Sequence, residues 1–299
     1  MQISSKYVGV ACKPLEVEVA LRHCMNYAAA IGDDNPWHLD DTRPEGVIAP
    51  PMLAIALTWR ISEHFFEYWG GADFPYEAIA RQVHFSEAIE WKRPMRPGER
   101  LRIEGRVSGI LPHRAGTHLI LTYTAHDARD EVVFIEHIGG LLRGVKCADD
   151  GQGEDALETY GTPSDDACLW EKTLHISKFA PHIYDGCADV HFPIHISPAF
   201  AKSVGLPGII FQGTGTLAMA LSAITKNEAE NDPRRIRAAQ CRFTGMVKPD
   251  SDILLKITGQ EPREGGCLCR FVVLNEQGKQ ALSAGSVTIG PAEAHLDTR

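Results

Sequence analysis

The chain has 299 residues, 44% hydrophobic and 23% charged, with a formal net charge of −9. That apolar share is enough for two ordinary cores, and the acidic balance argues against nucleic acid as a main partner. No apolar run reaches the roughly 18 residues a membrane helix needs, and the stretch from Met1 to Tyr7 lacks a signal-peptide pattern, so no membrane partner is expected.

In chain order, residues 15–31 place Val19, Leu21, Cys24, Met25 and Ala28 on a broad apolar face and predict a helix that Gly32 ends. The string Gly32-Asp33-Asp34-Asn35-Pro36-Trp37-His38 follows. It gathers an acid, an amide and an imidazole around a proline that blocks helix continuation. Asp33 and His38 are close enough in the chain to bracket one water, which is general acid–base equipment. Taken alone, Asp33 and Asn35 also suit a turn or a helix cap. Residues 52–69 are apolar on all sides over their first turns and predict a buried helix. Residues 101–107, 119–124 and 132–138 predict antiparallel strands. A long helix wrapped by an antiparallel sheet is an α+β arrangement.

Residues 147–167 are acidic, glycine-containing and poor in aliphatics, with too little apolar surface to order themselves. They divide the chain into residues 1–148, a linker over 149–167, and residues 168–299. The eight cysteines include no CxxC pair. Reduced thiols and a cytoplasmic location are therefore expected, without a disulfide framework or a zinc site.

The second half repeats the first. When the last histidines of Tyr184-Asp-Gly-Cys-Ala-Asp-Val-His-Phe-Pro-Ile-His195 and the first string are aligned, Tyr184 meets Tyr27, Pro193 meets Pro36 and His195 meets His38. Val190 stands where Asp33 does, and Phe192 where Asn35 does. Further on, Trp91 to Leu101 matches Phe243 to Ile253. The tyrosine, proline and histidine frame survives in both copies, and the acid and amide only in the first. His195 is therefore read as structural, with a dyad of His191 and Asp189 as the alternative.

These residues carry a resemblance. The chain resembles tandem hotdog proteins of the MaoC-like group, the (R)-specific enoyl-CoA hydratases and 3-hydroxyacyl dehydratases. Their signature is a helix, Gly-Asp-x-Asn-Pro-x-His, then a long central helix. A common hotdog turn stands here as Arg93-Pro94-Met95-Arg96-Pro97-Gly98-Glu99. The resemblance implies an α+β double hotdog, each half a central helix wrapped by an antiparallel sheet. It also implies an internal pseudo-dimer, with a homodimer of chains left open. Two departures stand out. The complete string lies in the N-terminal half, where eukaryotic double-hotdog hydratases carry it in the C-terminal one. Pro50-Pro51-Met52 replaces the His-Gly pair that often opens the central helix.

The implied chemistry is reversible hydration of a 2-enoyl thioester carried on CoA or acyl carrier protein. Asp33 and His38 share the proton transfers, Asn35 orients water or a catalytic side chain, and Met52 offers the nearest N–H to the thioester oxygen, because Pro51 has none. Lys92, Arg93 and Arg96 are candidate phosphate contacts. No metal or redox cofactor is required. The apolar replacements in the second half imply one working site per chain, with that half making room for a bulky acyl group. A hotdog thioesterase and a non-catalytic acyl-binding subunit are the alternative readings.

Overall fold

The computed structural model describes residues 1–69, 74–79, 81–158 and 168–291. The first half runs β1 (Gln2–Ile3), β2 (Leu15–Glu18), α1 (Leu21–Ala30), α2 (Pro36–Leu39), α3 (Leu53–Glu63), α4 (Phe65–Tyr68), α5 (Tyr76–Ile79), β3 (Gln82–Trp91), β4 (Arg100–His113), β5 (Gly116–His126), β6 (Val132–Arg143) and β7 (Lys146–Cys147). The second runs β8 (Trp170–Ile176), α6 (Ala180–Ala188), α7 (Pro198–Ser203), α8 (Gly213–Glu228), β9 (Ile236–Phe243), β10 (Ser251–Arg263), β11 (Gly266–Leu274) and β12 (Gln280–Ile289). Both follow one plan of edge strand, helix, motif loop, central helix and antiparallel strands. This is the expected α+β double hotdog.

Two expected helices differ in extent. Residues 15–18 form β2, because Leu15 and Val17 alternate with two glutamates and pair with Ile103 and Leu101 of β4. A short apolar stretch fits either period, and the sheet edge decides it. The helix expected over residues 52–69 divides at His64 into α3 and α4. The turn there lets Phe65 stack on Trp69 at 5.4 Å between ring centroids, while Phe66 stays 67% exposed.

One sheet of ten strands spans the chain in the order β2-β4-β5-β6-β3-β9-β12-β11-β10-β8. From either edge inward, the halves contribute the same elements, and they join where β3 pairs with β9. The repeat that sets Trp91 on Phe243 also sets Ala88 on Gln240, and these two face each other in the ladder. A residue opposite its own counterpart marks a twofold axis through an antiparallel pair. Nearby, α1 packs on α6. The equivalent residues Tyr27 and Tyr184, 157 positions apart and both fully buried, meet through their hydroxyls at 3.0 Å. The halves form an internal pseudo-dimer.

Residues 149–158 lie on the protein surface and are tied to it by polar contacts. Asp149 accepts from the Ser4 hydroxyl at 2.8 Å and the Ser5 amide at 3.0 Å. Gln152 exchanges backbone bonds with Ile110. The Gln240 side chain exchanges two 2.9 Å bonds with the backbone of Glu158, and Arg242 pairs with Asp155. The expectation of a self-disordered linker weighed only apolar burial, which is not what holds this segment. Residues 159–167 lie outside the described residues.

Two carboxyl groups, Glu87 of β3 and Glu136 of β6, are fully buried. Burial raises both pKa values well above the carboxylate range, and the charge of Glu87 raises Glu136 further. An acid whose folded pKa is raised gives full stability below its unfolded value near 4.3 and loses it as pH rises. Glu136→Gln should therefore unfold at the wild-type temperature near pH 4 and at least ~2 °C higher by pH 8. Parallel melting curves across that range would contradict the assignment.

Candidate active site

Helix α1 ends in a Schellman turn. The Gly32 N–H bonds the Ala29 carbonyl at 3.1 Å, and the Asp33 N–H bonds that of Ala28 at 2.9 Å. The turn requires a left-handed residue, and Gly32 supplies it at φ +67° without a Cβ penalty. Asp33 leaves the turn with its side chain 10% exposed, and its Oδ1 accepts the Asn35 N–H at 3.1 Å. Asn35 is the cap of α2, its Oδ1 accepting the Trp37 N–H at 3.1 Å. Pro36 takes the first helical position, where a missing N–H costs nothing.

The single turn of α2 delivers His38, only 1% exposed. Its Nδ1–H donates to the Ile48 carbonyl at 2.7 Å. A carbonyl only accepts, so the neutral ring keeps its proton on Nδ1 and its lone pair on Nε2. Nε2 lies 3.8 Å from Asp33 Oδ2. That is too long for a direct bond and short enough for one water to touch both at about 2.8 Å. Burial holds the His38 pKa below the ordinary histidine range, against the opposing pull of Asp33.

The amide of Asn35 is bonded at both ends: beyond the cap, its Nδ2 donates to the Asn231 carbonyl of the second half at 3.0 Å. It acts on the pair by fixing the loop and, through its backbone N–H, Asp33. Trp37 carries Arg43 over its ring at 4.0 Å and Arg234, from the second half, at 4.3 Å. Met52, 2% exposed, is the N-terminal cap residue of α3; the next N–H groups are taken, Leu53 by the Pro50 carbonyl at 2.9 Å and Ala54 by that of Pro51 at 3.2 Å. A small cavity of about 10 Å³, room for about one water, is lined by Ile48, Pro51, Trp91, Met95, Pro233 and Ile236.

The three candidate phosphate contacts are each committed elsewhere. Lys92 pairs with Glu90. Arg93 bridges Glu99 at 2.8 Å and Asp127 at 3.0 Å, and Arg96 donates to the Glu45 carbonyl at 2.7 Å. The structure thus gathers Asp33, Asn35 and His38 and leaves these cations on separate partners. Sequence reasoning missed the Ile48 and Asn231 carbonyls, which act through backbone and carry no residue signature. All eight cysteines are free. Among the described residues no group of three or more His, Cys, Asp or Glu could hold a metal ion, and no helix is long and apolar enough to cross a membrane.

The second half keeps the scaffold. Asp189 takes the place of Gly32, again left-handed at φ +59°. His195 Nδ1 bonds the Ile210 carbonyl at 2.9 Å, as His38 does that of Ile48. Val190 is buried and Phe192 is 43% exposed. His191 contacts Asp185 at 2.9 Å and Asp189 at 2.7 Å.

Residues 6–136 match the family model described as FAS1-like, dehydratase domain region, and residues 164–272 match that of the MaoC-like domain. The chain carries a FAS1-like dehydratase region followed by a MaoC-like dehydratase domain. Over 109 residues it is 30% identical to the fatty acid synthase subunit beta of Schizosaccharomyces pombe, covering 36% of this chain and 5% of that one. Over 104 residues it is 31% identical to peroxisomal multifunctional enzyme type 2 of Drosophila melanogaster, covering 35% and 17%. The matched segment is a small part of both relatives. The crystal structure of a MaoC-like dehydratase from Phytophthora capsici superposes with a TM-score of 0.83 at 18% identity, over 96% of this chain and 99% of that one. It shares the double-hotdog fold of this chain.

Gly32→Ala puts a Cβ on a left-handed residue, at a cost of about 1–2 kcal/mol. It should lower the melting temperature by a few degrees and reduce turnover by more than the lost fold accounts for, because Asp33 is aimed by that turn. Thermal unfolding and steady-state kinetics check both. Unchanged turnover in a folded variant would show that Asp33 is not held by Gly32.

Proposed function

We propose that this MaoC-like tandem catalyses reversible hydration of a 2-enoyl thioester to the (R)-3-hydroxyacyl thioester, with CoA as the carrier and the Asp33–His38 pair as the site. The observation that carries the reading is the tautomer of His38. Its Nδ1 is committed to Ile48 and its Nε2 lone pair faces Asp33 across 3.8 Å. Neutral His38 takes a proton from the shared water as the water oxygen bonds C3. Asp33 steadies the imidazolium that forms. The π electrons of C2=C3 move toward C2 and the thioester oxygen, which the Met52 N–H and the positive end of the α3 dipole stabilise. The imidazolium then returns its proton to C2 on the face the water entered. Lys92 and Arg93 are paired with carboxylates and Arg96 is bonded to the Glu45 carbonyl, which gives them little role with phosphate.

A spectrophotometric panel of trans-2-enoyl-CoA thioesters tests the reading. Enoyl absorbance should fall without release of free thiol, and Asp33→Asn or His38→Ala should each lower turnover by at least ~100-fold in a folded protein. Free thiol would mean hydrolysis, and saturable binding with neither signal an acyl-binding subunit.

The pH profile gives an independent check. A base must be unprotonated, and His38 has a lowered pKa, so the acid limb of kcat/KM should fall below about pH 6.5. The charge of Asp33 raises the His38 pKa, so Asp33→Asn should move the limb lower still. A limb above pH 6.5, or one that moves up in Asp33→Asn, would rule out His38 as the base.

A further inference from the structure

We propose that Arg234 of the second half is a positioning residue for the reaction at His38, acting through the ring of Trp37. The proposal rests on the reading of Asp33 and His38 as the working pair. His38 sits on α2, a single turn of four residues. A helix that short has no stability of its own, so its tertiary contacts decide where the imidazole points.

Two of those contacts come from one short segment of the other half. Glu230 and Asn231 follow the end of α8 and are left-handed, at φ +55° and +59°. Asn231 then takes the Asn35 Nδ2–H at 3.0 Å, and Arg234 lays its guanidinium over Trp37 at 4.3 Å. The segment thus grips the residues on either side of Pro36. It is itself held firmly. Arg234 forks onto Asp232, Nε on Oδ1 at 2.9 Å and Nη2 on Oδ2 at 2.6 Å, and the same carboxylate caps the turn through the Arg234 N–H at 3.0 Å. From the first half, Arg43 reaches the ring at 4.0 Å. Its Nε is buried without a hydrogen-bond partner among the described residues, a cost that the indole face offsets.

Two backbone bonds carry the constraint from Trp37 to the base. The Trp37 carbonyl accepts the Ile48 N–H at 2.8 Å, and the Ile48 carbonyl accepts the His38 Nδ1–H at 2.7 Å. A shift of Trp37 moves Ile48, and Ile48 is the acceptor that fixes which nitrogen of His38 keeps its lone pair. The clamp is one-sided. The alignment that sets His195 on His38 puts Ile194 in the place of Trp37, and the one that sets Gln240 on Ala88 puts Gln82 in that of Arg234. The opposite direction therefore has neither the ring nor the cation. The clamp goes with the half that keeps its acid.

The test uses the full chain as wild type, as Arg234→Gln, as Trp37→Leu and as both together. Arg234→Gln removes the cation and keeps a donor for Asp232. Each single change should lower kcat on a 2-enoyl-CoA by ~10-fold, the scale of a slightly misplaced base, with KM within about twofold of wild type. The combined variant should lose no more than either single one, because both changes break one contact. Without substrate, the long-range ¹H–¹⁵N spectrum of the histidine rings should show His38 as the Nδ1–H tautomer in wild type and averaged between tautomers in Arg234→Gln, its signals being those absent in His38→Ala. If Arg234→Gln fails to fold, Arg234→Gln with Asp232→Asn, which removes the charge pair together, takes its place. An unchanged kcat, a raised KM alone, losses that multiply in the combined variant, or an unchanged His38 tautomer in Arg234→Gln overturns the clamp. A wild type inactive on every enoyl thioester overturns the reading of the site, and the histidine spectra then decide the clamp on their own.

Discussion

The pairing of β3 with β9 is the contact on which the rest of the molecule depends. A five-stranded hotdog sheet ends in an open edge, and joining two such edges satisfies both rows of backbone groups at once. The join also sets each motif loop against the other half. Asn231 accepts from Asn35, and Arg234 lies over Trp37. In the opposite direction, the Ala188 carbonyl accepts from His23 at 3.0 Å, and that of His191 from Trp59. Neither half taken alone would position its loop in this way.

Within that frame, the first site is preorganised by backbone more than by side chains. A left-handed residue closes the first helix, a short turn follows, and a carbonyl before the central helix takes the histidine Nδ1–H. All three features recur in the second half with different residues: Asp189 for Gly32 and Ile210 for Ile48. Divergence has put Val190 in place of the acid while the scaffold that orients the histidine has stayed. Desolvation keeps both imidazoles neutral, so each presents a lone pair at neutral pH without rearrangement.

Much of this is legible in the sequence because it rests on local rules. Gly32, Pro36 and His38 have positional meanings that do not depend on context. The tyrosine, proline and histidine frame reveals the duplication, and the fold brings its two tyrosines, Tyr27 and Tyr184, into contact. What was not legible is non-local. Leu15 and Val17 suit helix and strand equally, and only β4 settles them. Arg93 looks free until Glu99 and Asp127 close on it. Residues 149–158 are held by partners such as Ser4 and Gln240 that their own composition cannot announce.

The central claim is that Asp33 and His38 deliver the oxygen of one water to C3. The most direct measurement is mass spectrometry of the product formed from a 2-enoyl-CoA in ¹⁸O-labelled, deuterated water. The account predicts an intact thioester carrying one ¹⁸O on the C3 hydroxyl and one deuterium at C2. Label in a free carboxylate, with CoA released, would contradict it.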